Sequence, residues 1–143
     1  MPLVQNKRLS ESAPEKMAAH LRNPVSRQFI KDVTSAMESI APLKLADSAW
    51  DNVGLLAESP LPLNDRLILV TNDLSSQVVA EAVAKRASMI ISYHPPWFKA
   101  AKNIRMDGPL SSIGLCIAHG ISIFSPHTAL DSISGGSKLK ISL

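Results

Sequence analysis

Apolar and polar residues along this chain alternate in two rhythms, and those rhythms define its elements. Between residues 26 and 41, Phe29, Val33, Met37 and Ile40 recur at three-to-four spacing, with Ile30 and Ala36 beside them. That period predicts a helix with one apolar face, capped by Ser26 and ended by Pro42. Three short apolar runs follow, at 67–71, 89–92 and 121–125, each of strand length. Between them lie two helical stretches. One covers 76–87, with Val78, Val79, Ala82 and Val83 inward; the other covers 109–119 and stops at Gly120. This β-α-β-α-β order predicts a parallel sheet with right-handed crossovers. Residues 45–56 read as a turn at Asn52 and Gly54 before a short edge strand, with Trp50 covering the sheet. The expected class is α/β: a parallel-sheet β-α-β-α-β core preceded by an N-terminal helix.

The two ends break the pattern. Residues 1–24 mix charges and prolines without a sustained period, which predicts a flexible basic extension, with a mitochondrial presequence as the sharper alternative. Residues 134–143 are too few for another strand-helix unit. So few helices around the sheet would leave an apolar edge poorly covered, which reads as an incomplete fold.

Composition narrows the function classes. The 143 residues suit one domain, and 45% hydrophobic with 19% charged is globular. The lone Cys116 lies in an apolar helical stretch and reads as a buried small hydrophobe. With no second cysteine there is no disulfide framework, which fits a reducing, cytoplasmic location, with the nucleus as a further possibility. The net charge of +3 comes from residues 1–28, where five basic residues face two acidic ones; the remainder is neutral. Direct nucleic-acid binding needs clustered Lys and Arg on the folded body, and none is visible. No apolar run reaches the roughly 20 residues of a membrane span.

Candidate chemistry gathers where strands end. Asn72-Asp73, Tyr93-His94 and the segment from His127 to Asp131 each follow a predicted strand. In a parallel sheet those positions converge at the carboxyl edge, the usual ligand site of such folds. Imidazole and carboxylate together suit Zn, Mn or Fe in the divalent state. His94 and Asp131 are the primary candidate ligands. His127 is expected to orient Asp131, and Tyr93 to pack or donate a hydrogen bond. Asp73 is expected to cap the helix near Ser76. His20 and His119 fall outside the cluster. No glycine-rich phosphate loop follows the first strand. Ser125 sits in no nucleophile elbow, which argues against a Ser125/His127/Asp131 triad.

Four ordered segments now carry a resemblance: residues 50–56 (Trp-Asp-Asn-Val-Gly-Leu-Leu), 71–75 (Thr-Asn-Asp-Leu-Ser), 90–96 (Ile-Ile-Ser-Tyr-His-Pro-Pro) and 125–131 (Ser-Pro-His-Thr-Ala-Leu-Asp). Together they resemble the NIF-three-like family of dinuclear-metal proteins, some of whose bacterial members are labelled GTP cyclohydrolase type homologues. The resemblance covers residues 27–136 and points to the first half of that fold, in the eukaryotic branch. It implies a metal site in which His94 and Asp131 are ligands, with His127 supporting. Tyr93 stands where the family has another histidine. A phenol of pKa near 10 is protonated at neutral pH and ligates poorly, so partial or weak occupancy by a divalent metal is expected.

The family's late His-x-x-x-Glu element has no counterpart here, and residues 137–143 do not match its continuation. The expectation is therefore a truncated form with a residual metal site, hydrolase-like at most and itself inactive. Full-length relatives would be metal-dependent hydrolases of unsettled substrate. The resemblance also implies homo-oligomers and association with a transcriptional-regulator protein, which makes a non-catalytic interaction factor the alternative reading.

Overall fold

The computed structural model describes residues 24–63 and 65–134. The basic extension and the tail after residue 134 lie outside the described residues. In chain order the elements are α1 (Pro24–Ile40), a single 3-10 turn (Leu43–Leu45), β1 (Gly54–Ala57), β2 (Ile68–Thr71), α2 (Ser76–Ala84), β3 (Met89–Ser92), α3 (Ser111–Ala118), β4 (Ser122–Ser125) and α4 (His127–Asp131). The class is α/β, as the alternating pattern predicts.

The four strands form one sheet in the order β1-β4-β3-β2. β2, β3 and β4 are parallel, with Ile68 opposite Met89 and Met89 opposite Ser122. β1 runs antiparallel to β4 on the far edge, with Gly54 opposite Ser125. The sheet is therefore parallel in its βαβαβ part and mixed overall, a common arrangement for an edge strand reached by a loop.

Side chains alternate across the sheet and separate two apolar layers. On one face, Met89 and Phe124 pack with Ile30 and Val33 of α1. On the other, Ile90, Ile121 and Ile123 pack with Val79 and Ala82 of α2 and with Ile113 and Cys116 of α3. Each buried aliphatic contributes about 1.5–3 kcal/mol by leaving water, so α1 is held chiefly by Ile30 and Val33. The apolar stripe of α1 is narrower than its spacing predicts. Ile40 is 56% exposed, and Ala36 also faces solvent. Ser26 lies buried in the first turn rather than capping it, and the helix starts at Pro24, a favoured first position.

Buried serines tie the strands to their loops. Ser88 Oγ donates to the Leu63 carbonyl (3.0 Å), and Ser92 Oγ to the His94 carbonyl (2.8 Å). Ser125 Oγ donates to the Tyr93 carbonyl (2.9 Å). The last two hold the segment after β3 against the ends of β3 and β4, where the candidate ligands stand.

Candidate metal-binding edge

The segment after β3 is laid against the segment after β2 by backbone hydrogen bonds. Tyr93 N–H donates to the Thr71 carbonyl and His94 N–H to the Asn72 carbonyl, both at 2.9 Å. This brings His94 Nδ1 to 2.8 Å from Asp73 Oδ1. Asp73 is therefore the partner of His94 and not a helix cap. The cap is Ser75, whose hydroxyl accepts from Val78 N–H (3.3 Å).

A second carboxylate-histidine pair lies beside the first. His127 opens α4 with φ +30°, and its Nδ1 is 2.8 Å from Asp51 Oδ1. The Asp51 side chain is only 1% exposed. Burial acts to raise its pKa, but the Thr128 hydroxyl, His127, and the N–H groups of Asn52 and Thr128 all bond to the carboxylate. Together they hold it below the ordinary aspartate value. An ionised carboxylate can only accept, so Nδ1 must donate. The lone pair of a neutral His127 then resides on Nε2. In the first pair, too, the carboxylate stands at Nδ1 of the imidazole and leaves Nε2 on the other side of the ring. Carboxylates on Nδ1 are the usual means of orienting a ligating imidazole.

Tyr93 donates its hydroxyl to Asp131 Oδ1 at 2.6 Å. Asp131 is thus held by Tyr93, and the Nδ1 of His127, expected to orient Asp131, is engaged by Asp51. Ring contacts join the set, with His127 centred 5.6 Å from His94, 5.5 Å from Tyr93, 5.6 Å from Phe98 and 5.8 Å from Trp50. Trp50, 52% exposed, walls this cluster instead of covering the sheet. His119 lies outside it, at the end of α3, and His20 lies outside the described residues. Ser125 is fully buried with its hydroxyl spent on a backbone carbonyl, which leaves no triad.

Sequence reasoning assigned no role to Asp51 or Phe98. Asp51 lay inside the Trp-Asp-Asn segment, so a signal was present, but nothing in the sequence named His127 as its partner.

Whether these residues fit a divalent metal has two answers. By chemistry they do: two imidazoles with Nε2 free to ligate, and a carboxylate nearby. By grouping they do not: among the described residues no three His, Cys, Asp or Glu side chains stand together as a metal ion would require. Donors of the right kind are present, and among the described residues a complete shell is not.

The arrangement defines an α/β protein whose strand ends carry paired histidine–carboxylate groups. The comparisons with known proteins agree with the α/β fold and add the family. The chain belongs to the Duf34/NIF3 (NGG1p interacting factor 3) family, whose model matches residues 29–142. It is 44% identical over 115 residues to NIF3-like protein 1 of Drosophila melanogaster, covering 80% of this chain and 39% of that one. It is 36% identical to the GTP cyclohydrolase 1 type 2 homolog of Clostridium acetobutylicum, covering 75% of this chain and 40% of the relative. A Bacillus cereus protein related to NIF3 superposes with a TM-score of 0.65 at 33% identity, over 79% of this chain and 30% of the other. The chain spans well under half the length of the curated relatives it matches.

Proposed function

We propose that this chain carries one side of a divalent-metal site, with His94 and Asp131 as its donors, His127 beside them and Tyr93 as a weak neighbour. The observation that supports it is His94, held at Nδ1 by Asp73 with Nε2 left for a ligand, on the same sheet edge as Asp131 and the Asp51-bound His127. Two firm donors hold Zn, Mn or Fe(II) weakly, because a catalytic zinc has at least three protein ligands. On this reading the chain by itself is not a competent hydrolase. A hydrolase-like role then falls to longer proteins of the family; one relative is named a GTP cyclohydrolase 1 type 2 homolog.

Metal analysis and metal titration at neutral pH test the reading. Weak, substoichiometric uptake that His94→Ala or Asp131→Ala removes is the expected result. Tyr93→His, which adds an imidazole and removes the phenol's hydrogen bond to Asp131, should raise uptake several-fold. Stoichiometric metal indifferent to both alanine variants would overturn the assignment.

A second reading, a non-catalytic factor that self-associates or meets a regulator protein, rests on β2. Among the described residues it is the terminal strand of the sheet, and its Val70 is 74% exposed. An uncovered apolar edge strand favours pairing with a second copy of the chain. Sizing chromatography should then show a species larger than one chain, reduced by Val70→Lys. A monomer at all concentrations removes this reading's support.

A further inference from the structure

The strand-end histidines do not account for a second hollow beside them. The segment between β3 and α3 borders an open hollow of about 510 Å³ lined in part by Pro96, Trp97, Phe98, Lys99, Lys102 and Leu110. That size lies within the roughly 300–1,000 Å³ of small-molecule sites. Its position, outside the carboxyl end of a central strand, is where open α/β sheets bind ligands.

Three features show that the walls are built on the core. Trp97 and Leu110 pack against the apolar layer beneath α2 and α3. The Trp97 carbonyl accepts from Asn52 Nδ2 at 2.8 Å, which ties the segment to the approach to β1. On its far limb, Ile104 and Met106 lie 3.4 and 3.5 Å from where a side chain on Gly114 would begin, so α3 is smooth where the loop rests on it. Phe98 is shared. It lines the cavity and also stands 5.6 Å from the His127 ring and 5.9 Å from Trp50.

The charge of the lining is one-sided. Lys99 and Lys102 both line the cavity, and among the described residues neither forms an ion pair. Asp107, the acidic residue in the same loop, is taken by Arg105 through two hydrogen bonds of 2.8 and 2.9 Å. An apolar neutral ligand would leave the two ammonium groups unused, and an aliphatic anion would leave the rings of Trp97 and Phe98 unused. A flat ring bearing negative charge uses both.

We propose that this loop cavity binds a small planar aromatic anion, its ring against Trp97 and Phe98 and its carboxylate or phosphate facing Lys99 and Lys102. The site is separate from the metal reading, so it is tested with chelator present.

The 143-residue chain in EDTA is titrated with 2-naphthoate, 2-naphthyl phosphate, neutral 2-naphthamide and aliphatic cyclohexanecarboxylate, followed by calorimetry and tryptophan fluorescence. At least one aromatic anion should bind one to one. It should bind about tenfold or more tightly than the amide or the aliphatic acid, as loss of a charge-assisted hydrogen bond implies. The stronger of the two anions identifies the favoured charged group. The double variant Lys99→Gln/Lys102→Gln, at two exposed positions, should weaken binding by a similar factor with an unchanged circular dichroism spectrum. Phe98→Ala should weaken it independently. The proposal is overturned if neither anion binds saturably, if the amide binds as well, or if the lysine double variant binds like the parent.

Discussion

Asp51 is the residue on which the candidate site turns. Its carboxylate accepts from His127 Nδ1 (2.8 Å), Asn52 N–H (2.7 Å), Thr128 N–H (3.2 Å) and the Thr128 hydroxyl. His127 adopts a left-handed backbone conformation that non-glycine residues rarely hold without such support. In Asp51→Asn one acceptor oxygen becomes an NH₂ facing a donor. Urea denaturation at neutral pH should show a loss of about 1–3 kcal/mol, the cost of a buried group left unsatisfied. The pH dependence has a definite sign. Because the folded pKa lies below the unfolded value of roughly 3.9, this carboxylate's stabilisation is fully present above that value and is lost as pH falls through the folded pKa. Stability of the parent should therefore drop in acid more steeply than that of Asp51→Asn. Equal slopes would show that Asp51 is not the group responsible.

At the scale of elements, the junction of α3 and β4 carries the tightest constraint. Gly120 ends the helix at φ +79°, a conformation that glycine adopts at little cost. A Cβ there would stand 2.6 Å from the Leu61 carbonyl and 3.0 Å from Leu63 Cγ. The same contact is a working joint, since Leu63 N–H donates to the Gly120 carbonyl at 3.2 Å. It fixes the segment that leads into β2. Gly120→Ala should therefore lower stability by about 1–3 kcal/mol through strain and close approach, read as a fall in melting temperature. A variant as stable as the parent would mean that the 61–63 segment can move aside freely. Reading the glycine as a helix stop was sound from sequence, but the backbone pressed against it was invisible there.

For the molecule as a whole, two apolar layers flank the sheet, and the one under α2 and α3 holds a built-in probe. Cys116 reports on it, because the side chain is fully buried between α3 and the sheet, and burial pushes its thiol up to about 11. Only the thiolate alkylates, so iodoacetamide at about pH 8 should leave Cys116 unlabelled in the folded chain and modify it fully in concentrated guanidinium. Rapid labelling without denaturant would show that the α2–α3 layer opens readily.

The order of elements was legible in the sequence, because its signals are local: a short apolar run at Met89–Ser92 and three-to-four spacing in α1 need no knowledge of distant residues. The placing of His94, His127, Tyr93 and Asp131 at one edge followed from the parallel connectivity. Who bonds to whom did not. Asp51 and His127 are 76 positions apart, and Tyr93 and Asp131 38 apart, so their pairing depends on which strand ends the sheet makes neighbours. Asp73 read as a cap because capping is a local habit of aspartate, yet the backbone bonds from Tyr93 and His94 to the end of β2 drew it to His94. The direction of β1 was likewise undecided until it paired with β4. Local sequence set which chemistry reaches the edge, and only packing decided how those groups hold one another.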